Sequence, residues 1–490
     1  MNSSQKPATN KYNILPVPMP KTAVQITTAT TVIAFYAVIF CGIFLASLNG
    51  ATAVRYPYPL DYGEGPLLNQ VVQINEGKNI YETSQPPPYT ISNYPPLYVY
   101  IWAVIAKLTG PTMLGGRLIS LTSTIGSTVA IYLIIRILTK KNWPAAISSL
   151  VFFTSPFIVE WSAYARVDSL ALCFSLAGLA VIIRWPQPRG ILCGVALITA
   201  SIYTRQTQLL AVPLAAAAWL WMHKKAYSFT FIGLLGGTTL LAAAMIMAIT
   251  SRGFLFHTIT ANINTYSWPQ LYYYGKKFIA TVPFFTVLPV VMVAVQKTRR
   301  APAEITLKVY GIGALIVAAT VGKSGSNINY FYELIAAASL LSGWLIYKAS
   351  KKTIWQSVLV TLLTAQGILA IATSYNGYLT RFSPAQTTAR DNLMAAIKTT
   401  TGPVLIDQEA GLLPLTGRTL YIELYIYNEL TKAGIWGTSG LALEIRQKKF
   451  PLIVIRWPEL WPAPIQAEIE KEYKLTNVMR QHTFVFSPQK

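Results

Sequence analysis

Apolar runs of bilayer-spanning length recur along most of this chain, and inside a bilayer only α-helices or a closed barrel satisfy the backbone. The first runs from about Ile26 to Leu48. Others stand at roughly 117–137, 143–159, 169–184, 190–204, 206–222, 229–250, 278–296, 304–321, 329–347 and 353–373, about eleven spans in all. The runs predict a polytopic α-helical membrane protein. Charge content agrees: 12% of the 490 residues are charged, against about 25% in a typical soluble protein.

The formal charge of +22 has two readings. A basic protein binds nucleic acid or another anion, or it keeps Lys and Arg on cytoplasmic loops. Here the basic residues fall between apolar runs, which favours the second and gives no reason to expect a nucleic acid partner. The run Leu97–Leu108 is too short for a span and suits an interfacial helix. With that segment kept out of the count, Arg136/Lys140/Lys141, Arg184/Arg189, Lys224/Lys225, Lys297/Arg299/Arg300 and Lys348/Lys351/Lys352 all share the side of the N-terminus. None of these clusters holds an acidic residue, which is the positive-inside pattern. The expected organisation is a cytoplasmic tail over 1–25, a membrane module over 26–373 with a first outer loop at 49–116, and an extracytoplasmic domain over 374–490.

That last segment changes character. Val404–Asp407, Thr419–Ile422, Leu452–Ile455 and Thr483–Phe486 read as strands, and Ala385–Lys398, Thr438–Lys448 and Ile465–Tyr473 as helices. A small α/β domain over the outer face follows. Cys41, Cys173 and Cys193 lie in apolar segments without metal-ligand or disulfide spacing. His223, His257 and His482 form no ligand pair, so no metal or other cofactor is expected; a metal here would have to be held by carboxylates.

Polar motifs collect in the connections assigned to the outer side. Asp61-Tyr62-Gly63-Glu64-Gly65-Pro66 sets two carboxylates in a Gly-rich turn, where one could take a proton from an attacking hydroxyl; two solvated surface acids are the plainer reading. Tyr94-Pro95-Pro96-Leu97-Tyr98 forces an extended entry into the interfacial helix. Arg166 and Asp168 head a span, where the arginine suits a phosphate and the aspartate could orient it or a sugar hydroxyl, or the two simply pair. Arg205, in Tyr203–Gln208, suits a phosphate or pyrophosphate unless it snorkels to headgroups. In Gly322–Glu333 the glycine and lysine spacing is not that of a P-loop. Lys323 could still hold a lipid phosphate, while Asn329 and Glu333, with Tyr330 between them, could address a sugar from one helical face, or the segment merely caps a span.

In their order along the chain these motifs resemble the glycosyltransferase C superfamily, in particular bacterial relatives of the dolichyl-phosphate-mannose–protein mannosyltransferases and the lipid A aminoarabinose transferases. The resemblance implies a hexosyl or pentosyl donor carried on a polyprenyl phosphate, a hydroxyl acceptor on a lipid, glycan or protein, and a single inverting displacement at the outer face. Members often have adjacent acids in this loop, whereas here Asp61 and Glu64 are three apart, which leaves the base open between them; Asp61, nearer the first span where members place their catalytic acid, is the first choice and Glu64 the alternative. A polymerase or ligase using lipid-diphosphate glycans would carry its large loop late in the chain. A transporter would gather its polar residues at the bilayer midplane; here they gather at one face.

Overall fold

The structure, a computed structural model, describes residues 21–82, 86–294, 301–350, 353–375, 383–479 and 483–489. The tail before residue 21 and the basic clusters at Lys297/Arg299/Arg300 and Lys351/Lys352 lie outside the described residues, as does His482.

A long helix, α1 (Lys21–Arg55), is followed by two short ones, α2 (Glu64–Asn75) and α3 (Leu97–Thr109). The bundle continues with α4 (Met113–Thr139), α5 (Asn142–Phe153), α6 (Pro156–Ser162), α7 (Asp168–Arg184), α8 (Pro188–Ile202), α9 (Ala211–His223) and α10 (Lys225–Ile249). It closes with α11 (Gly253–Thr258), α12 (Trp268–Thr281), α13 (Pro283–Ala294), α14 (Pro302–Ala319), α15 (Tyr332–Ala349) and α16 (Thr353–Ala370). Among the described residues six helices are long and apolar enough to cross a bilayer, or seven if the bent pair α5–α6 is one span. The chain is therefore a membrane protein, but length and composition support fewer spans than the eleven expected. The shortfall has a local cause: helices such as α8 and α9 are cut short by polar segments at one end of the bundle.

Two expected spans are broken. The run 143–159 bends by 58° between α5 and α6, where Pro156 cannot continue the preceding helix. The run 278–296 is divided at Val282, because Pro283 starts α13 afresh. α15 lies at the centre of the bundle, with 83% of its span buried, and α10 at the edge, with 6%. The exposed side chains of α10 include Phe229, Leu240, Leu241 and Ile249, a surface suited to lipid. α3 buries Tyr98, Trp102 and Ala106 and exposes Tyr100, Val104 and Leu108. At about 1.5 Å per residue it is too short for a hydrocarbon core of about 30 Å.

The C-terminal domain opens with α17 (Pro384–Thr399) and carries β1 (Val404–Ile406), β2 (Leu452–Ile455), β3 (Tyr473–Met479) and β4 (Thr483–Pro488). They form one sheet in the order β1-β2-β4-β3, with β1 and β2 parallel and the other pairs antiparallel. Between β1 and β2 the chain forms α18 (Leu412–Leu415), α19 (Leu424–Lys432) and α20 (Ser439–Arg446), and α21 (Ala463–Glu472) leads into β3. Thr419–Ile422 is not a sheet strand. Its edge pairs instead with the first connection, where the Tyr89 amide donates to Tyr421 O at 2.8 Å and the Glu423 amide to Tyr89 O at 2.9 Å. The small domain is thus tied to the α1–α4 connection, above the bundle end that carries the polar motifs.

Candidate active site

α2 begins inside the acidic motif, so Glu64 is a helix residue and not part of a loop. Its side chain is fully buried against Arg117 of α4. The Arg117 guanidinium donates Nε to Glu64 Oε1 and Nη2 to Oε2, each at 2.9 Å. Its remaining protons go to the carbonyls of Ala53, Tyr56 and Tyr58. Glu64 also accepts from the amides of Ala165 at 2.7 Å, Leu60 at 2.5 Å and Asp61 at 3.3 Å. Burial alone would raise this carboxyl; the Arg117 charge and the bonds to it hold it below the usual range. Such a carboxylate is a fastener for α1, α4 and the α6–α7 connection, and its lone pairs are all engaged.

Asp61 differs. Its Oδ2 accepts from the Gly63 amide at 2.9 Å and from Arg166 Nη1 at 3.2 Å. Its Oδ1 takes no hydrogen bond from the described residues, and its side chain is 19% exposed, on the wall of a cavity of about 510 Å³. Burial pushes its carboxyl up, the Arg166 guanidinium pulls it down, and the Glu64 charge adds to the rise; the net direction is upward. A side chain at Gly63 would collide with the Arg166 guanidinium, and one at Gly65 would meet Gly411 Cα at 2.5 Å. The two glycines admit an arginine and the C-terminal domain.

Arg166, Arg205 and Lys323 line the same cavity as Asp61, together with Tyr94, Asn329 and Tyr330. Arg166 donates to Tyr94 Oη at 2.9 Å and lies over the Tyr94 and Trp161 rings. It pairs with Asp61 and not, as one reading had it, with Asp168. Arg205 lies 4.6 Å from the Tyr330 ring centroid. Its ion pair is with Asp168, which is buried and also accepts from Trp161 Nε1 at 2.6 Å and Asn329 Nδ2 at 3.0 Å. Asp168 therefore holds Arg205 and Asn329 in place and does not itself line the cavity. Lys323 carries no ion pair among the described residues. Its loop is clamped by α12, where Gln270 Nε2 donates to the carbonyls of Val321 and Lys323, each at 2.7 Å.

Glu333 stands outside this group. Asn329 lies in a 3₁₀ turn, Ile328–Phe331, and Glu333 at the start of α15, so the two do not share a face. Glu333 is buried within the bundle and does not line the cavity. Residues that the motifs did not single out complete the wall. Gln206, Asn262 and Asn264 are amides from neighbouring connections, and Gln408, Glu423, Tyr425 and Trp457 come from the C-terminal domain. Arg117 had a signal in the sequence, an arginine inside an apolar run. The C-terminal residues had none, since only packing of the two units brings them here. No group of three or more His, Cys, Asp or Glu side chains suited to a metal occurs among the described residues.

Residues 93–251 match the family model described as dolichyl-phosphate-mannose-protein mannosyltransferase. No curated protein sequence matches the chain significantly. ArnT from Cupriavidus metallidurans in the apo state superposes with a TM-score of 0.61 at 11% identity, covering 95% of this chain and 98% of that one. The same protein bound to undecaprenyl phosphate gives 0.60 at 11% identity, with 95% and 98% covered. The archaeal oligosaccharyltransferase AglB from Archaeoglobus fulgidus, in complex with an inhibitory peptide and a dolichol-phosphate, gives 0.51 at 11% identity over 94% of this chain and 74% of that one. The chain thus shares its fold with ArnT and AglB over nearly its whole length, and residues 93–251 match the mannosyltransferase family model, in line with the resemblance read from the motifs.

Proposed function

We propose that this protein is an inverting membrane glycosyltransferase that moves a sugar from a polyprenyl-phosphate carrier to a hydroxyl acceptor on the extracytoplasmic face. The observation that carries the reading is one cavity in which a carboxylate oxygen free of hydrogen bonds from the described residues, Asp61 Oδ1, stands among three cations, Arg166, Arg205 and Lys323. In a single displacement the acceptor oxygen bonds to the anomeric carbon while the bond from that carbon to the phosphate oxygen breaks. Asp61 takes the hydroxyl proton, and the charge left on the lipid phosphate is met by the cations. Arg166 would serve both ends, pairing with Asp61 before reaction and with phosphate as it leaves. Tyr94, Asn329 and Tyr330 line the same cavity and would contact the sugar. The reaction so written needs no cofactor. The binding of undecaprenyl phosphate by ArnT and of dolichol-phosphate by AglB supports a lipid phosphate donor.

The test is transfer from a panel of radiolabelled polyprenyl-phosphate sugars by purified full-length protein. Asp61→Asn keeps shape and removes the base, so transfer should fall by about 10²–10⁴-fold at unchanged membrane abundance. A wild-type rate for Asp61→Asn would overturn the assignment.

A further inference from the structure

A second cavity, of about 560 Å³, lies beside the first. The two share a wall. α2 gives Pro66 and Leu67 to the charged cavity, and Asn69, Gln70 and Gln73 to the second. The segment after Tyr89 gives Asn93 and Tyr94 to the first, and Ile91 and Ser92 to the second. Glu423, from the C-terminal domain, lines both.

Their chemistry is different. Where the first cavity has three cations, the second has one, Lys78, already paired with Glu76 at 2.7 Å. Its other polar walls are amides and hydroxyls, with the carboxyl groups of Glu82 and Glu423. Gln70 is 3% exposed, and its Oε1 has no partner, so a donor is wanted there. His257 accepts the Ser92 amide proton at Nδ1, its Nε2 lies 3.1 Å from Glu82 O, and burial holds its pKa down, so it adds no charge. Glu423 is pushed up to about 8 by burial, against the Ile91 amide, so it too is uncharged at neutral pH. Trp436 supplies an aromatic surface, held at 5.7 Å from Tyr89 and 6.2 Å from Tyr427, ring centre to ring centre.

Amide groups around an indole, without free cations, fit a ligand of many neutral hydroxyls and a C–H face. A phosphorylated ligand would meet the Glu82 carboxylate and, among the described residues, a single cation, the Glu76-paired Lys78. We propose that this second cavity is an acceptor subsite for an uncharged saccharide, one wall away from Asp61. The proposal rests on the glycosyl-transfer reading of the first cavity and narrows the acceptor to a glycan.

Saturation-transfer NMR on the full-length protein in nanodiscs tests it, with maltose, cellobiose, mannobiose, chitobiose and a Ser/Thr-containing hexapeptide as probes. At least one disaccharide should bind the wild type. Its signal should fall about tenfold or more in Gln70→Leu and in Trp436→Ala, a loss of about 1.4 kcal/mol. Decaprenyl phosphate, the probe for the charged cavity, should still bind both variants, which shows that they are folded. If no disaccharide binds, if binding survives both substitutions, or if only the hexapeptide binds, the subsite is refuted. The two readings fail separately. No disaccharide binding with an inactive Asp61→Asn removes the subsite and leaves the transferase. Disaccharide binding with a fully active Asp61→Asn removes the proposed base and leaves a saccharide site.

Discussion

Glu64 accepts from a guanidinium and three backbone amides, so neutralising it strands Arg117 in the protein interior. Removing one partner of a buried ion pair costs about 3–5 kcal/mol. Glu64→Gln and Arg117→Met should therefore unfold at clearly lower temperature in detergent and accumulate less. If Glu64→Gln melts like the wild type yet loses transfer, its role is chemical and the structural assignment is wrong. The two carboxylates also respond differently to pH. Glu64 is held below its unfolded value, so its contribution to stability is present above about pH 4.3 and is lost as pH falls through the lower folded value. Asp61 is raised, so the acid limb of the transfer rate should lie above the ordinary aspartate value of about 3.9. Arg166 opposes that rise, and Arg166→Gln should move the limb to higher pH; a limb that stays put would show that Asp61 is not the titrating base.

α2 is the element on which the site is assembled. Its first residue anchors to α4, its glycine neighbours admit Arg166 on one side and the C-terminal domain on the other, and its middle residues divide the two cavities. The approach at Gly65 is backbone to backbone, which cannot relax by rotating a side chain. Gly65→Ala should push the small domain away from the bundle. Limited proteolysis would read this as faster release of a C-terminal fragment, with the membrane part still folded. Equal resistance in wild type and variant would contradict the close contact.

At the scale of the molecule, helix direction puts the α4–α5, α7–α8, α9–α10 and α15–α16 connections at the end away from the cavity. Basic side chains there lie over aromatic rings: Arg184 on Trp185, Lys224 on Tyr227, Lys225 on Trp221 and Lys348 on Trp344. Cations and aromatic rings at headgroup level are what the positive-inside rule and the interfacial belt lead one to expect of a cytoplasmic face. A reporter active only in the cytoplasm, fused to the C-terminus, should stay silent, while one placed in the α9–α10 connection should be active. The reverse pattern would move the proposed reaction to the other side of the membrane.

Membrane character, the short apolar α3 and much of the small domain were legible in the sequence, because hydropathy and periodicity are local quantities. Asp61, Arg166, Arg205 and Lys323, which line one cavity, also stood out, since polar residues at the ends of apolar runs are costly. The roles of Asp61 and Glu64 were not legible: both are acids in one short motif, and only the position of Arg117, 53 residues on, separates a pinned carboxylate from one that faces a cavity. Glu333 shows the same limit, because a 3₁₀ turn at Ile328–Phe331 rotated it out of the site that its spacing suggested. Thr419–Ile422 had strand composition, but its hydrogen bonds went to Tyr89 in a different unit. Which surfaces face each other across the α2 wall depends on contacts between residues hundreds of positions apart, such as Gly65 with Gly411. Local sequence carries no record of such contacts; close packing in three dimensions decides them.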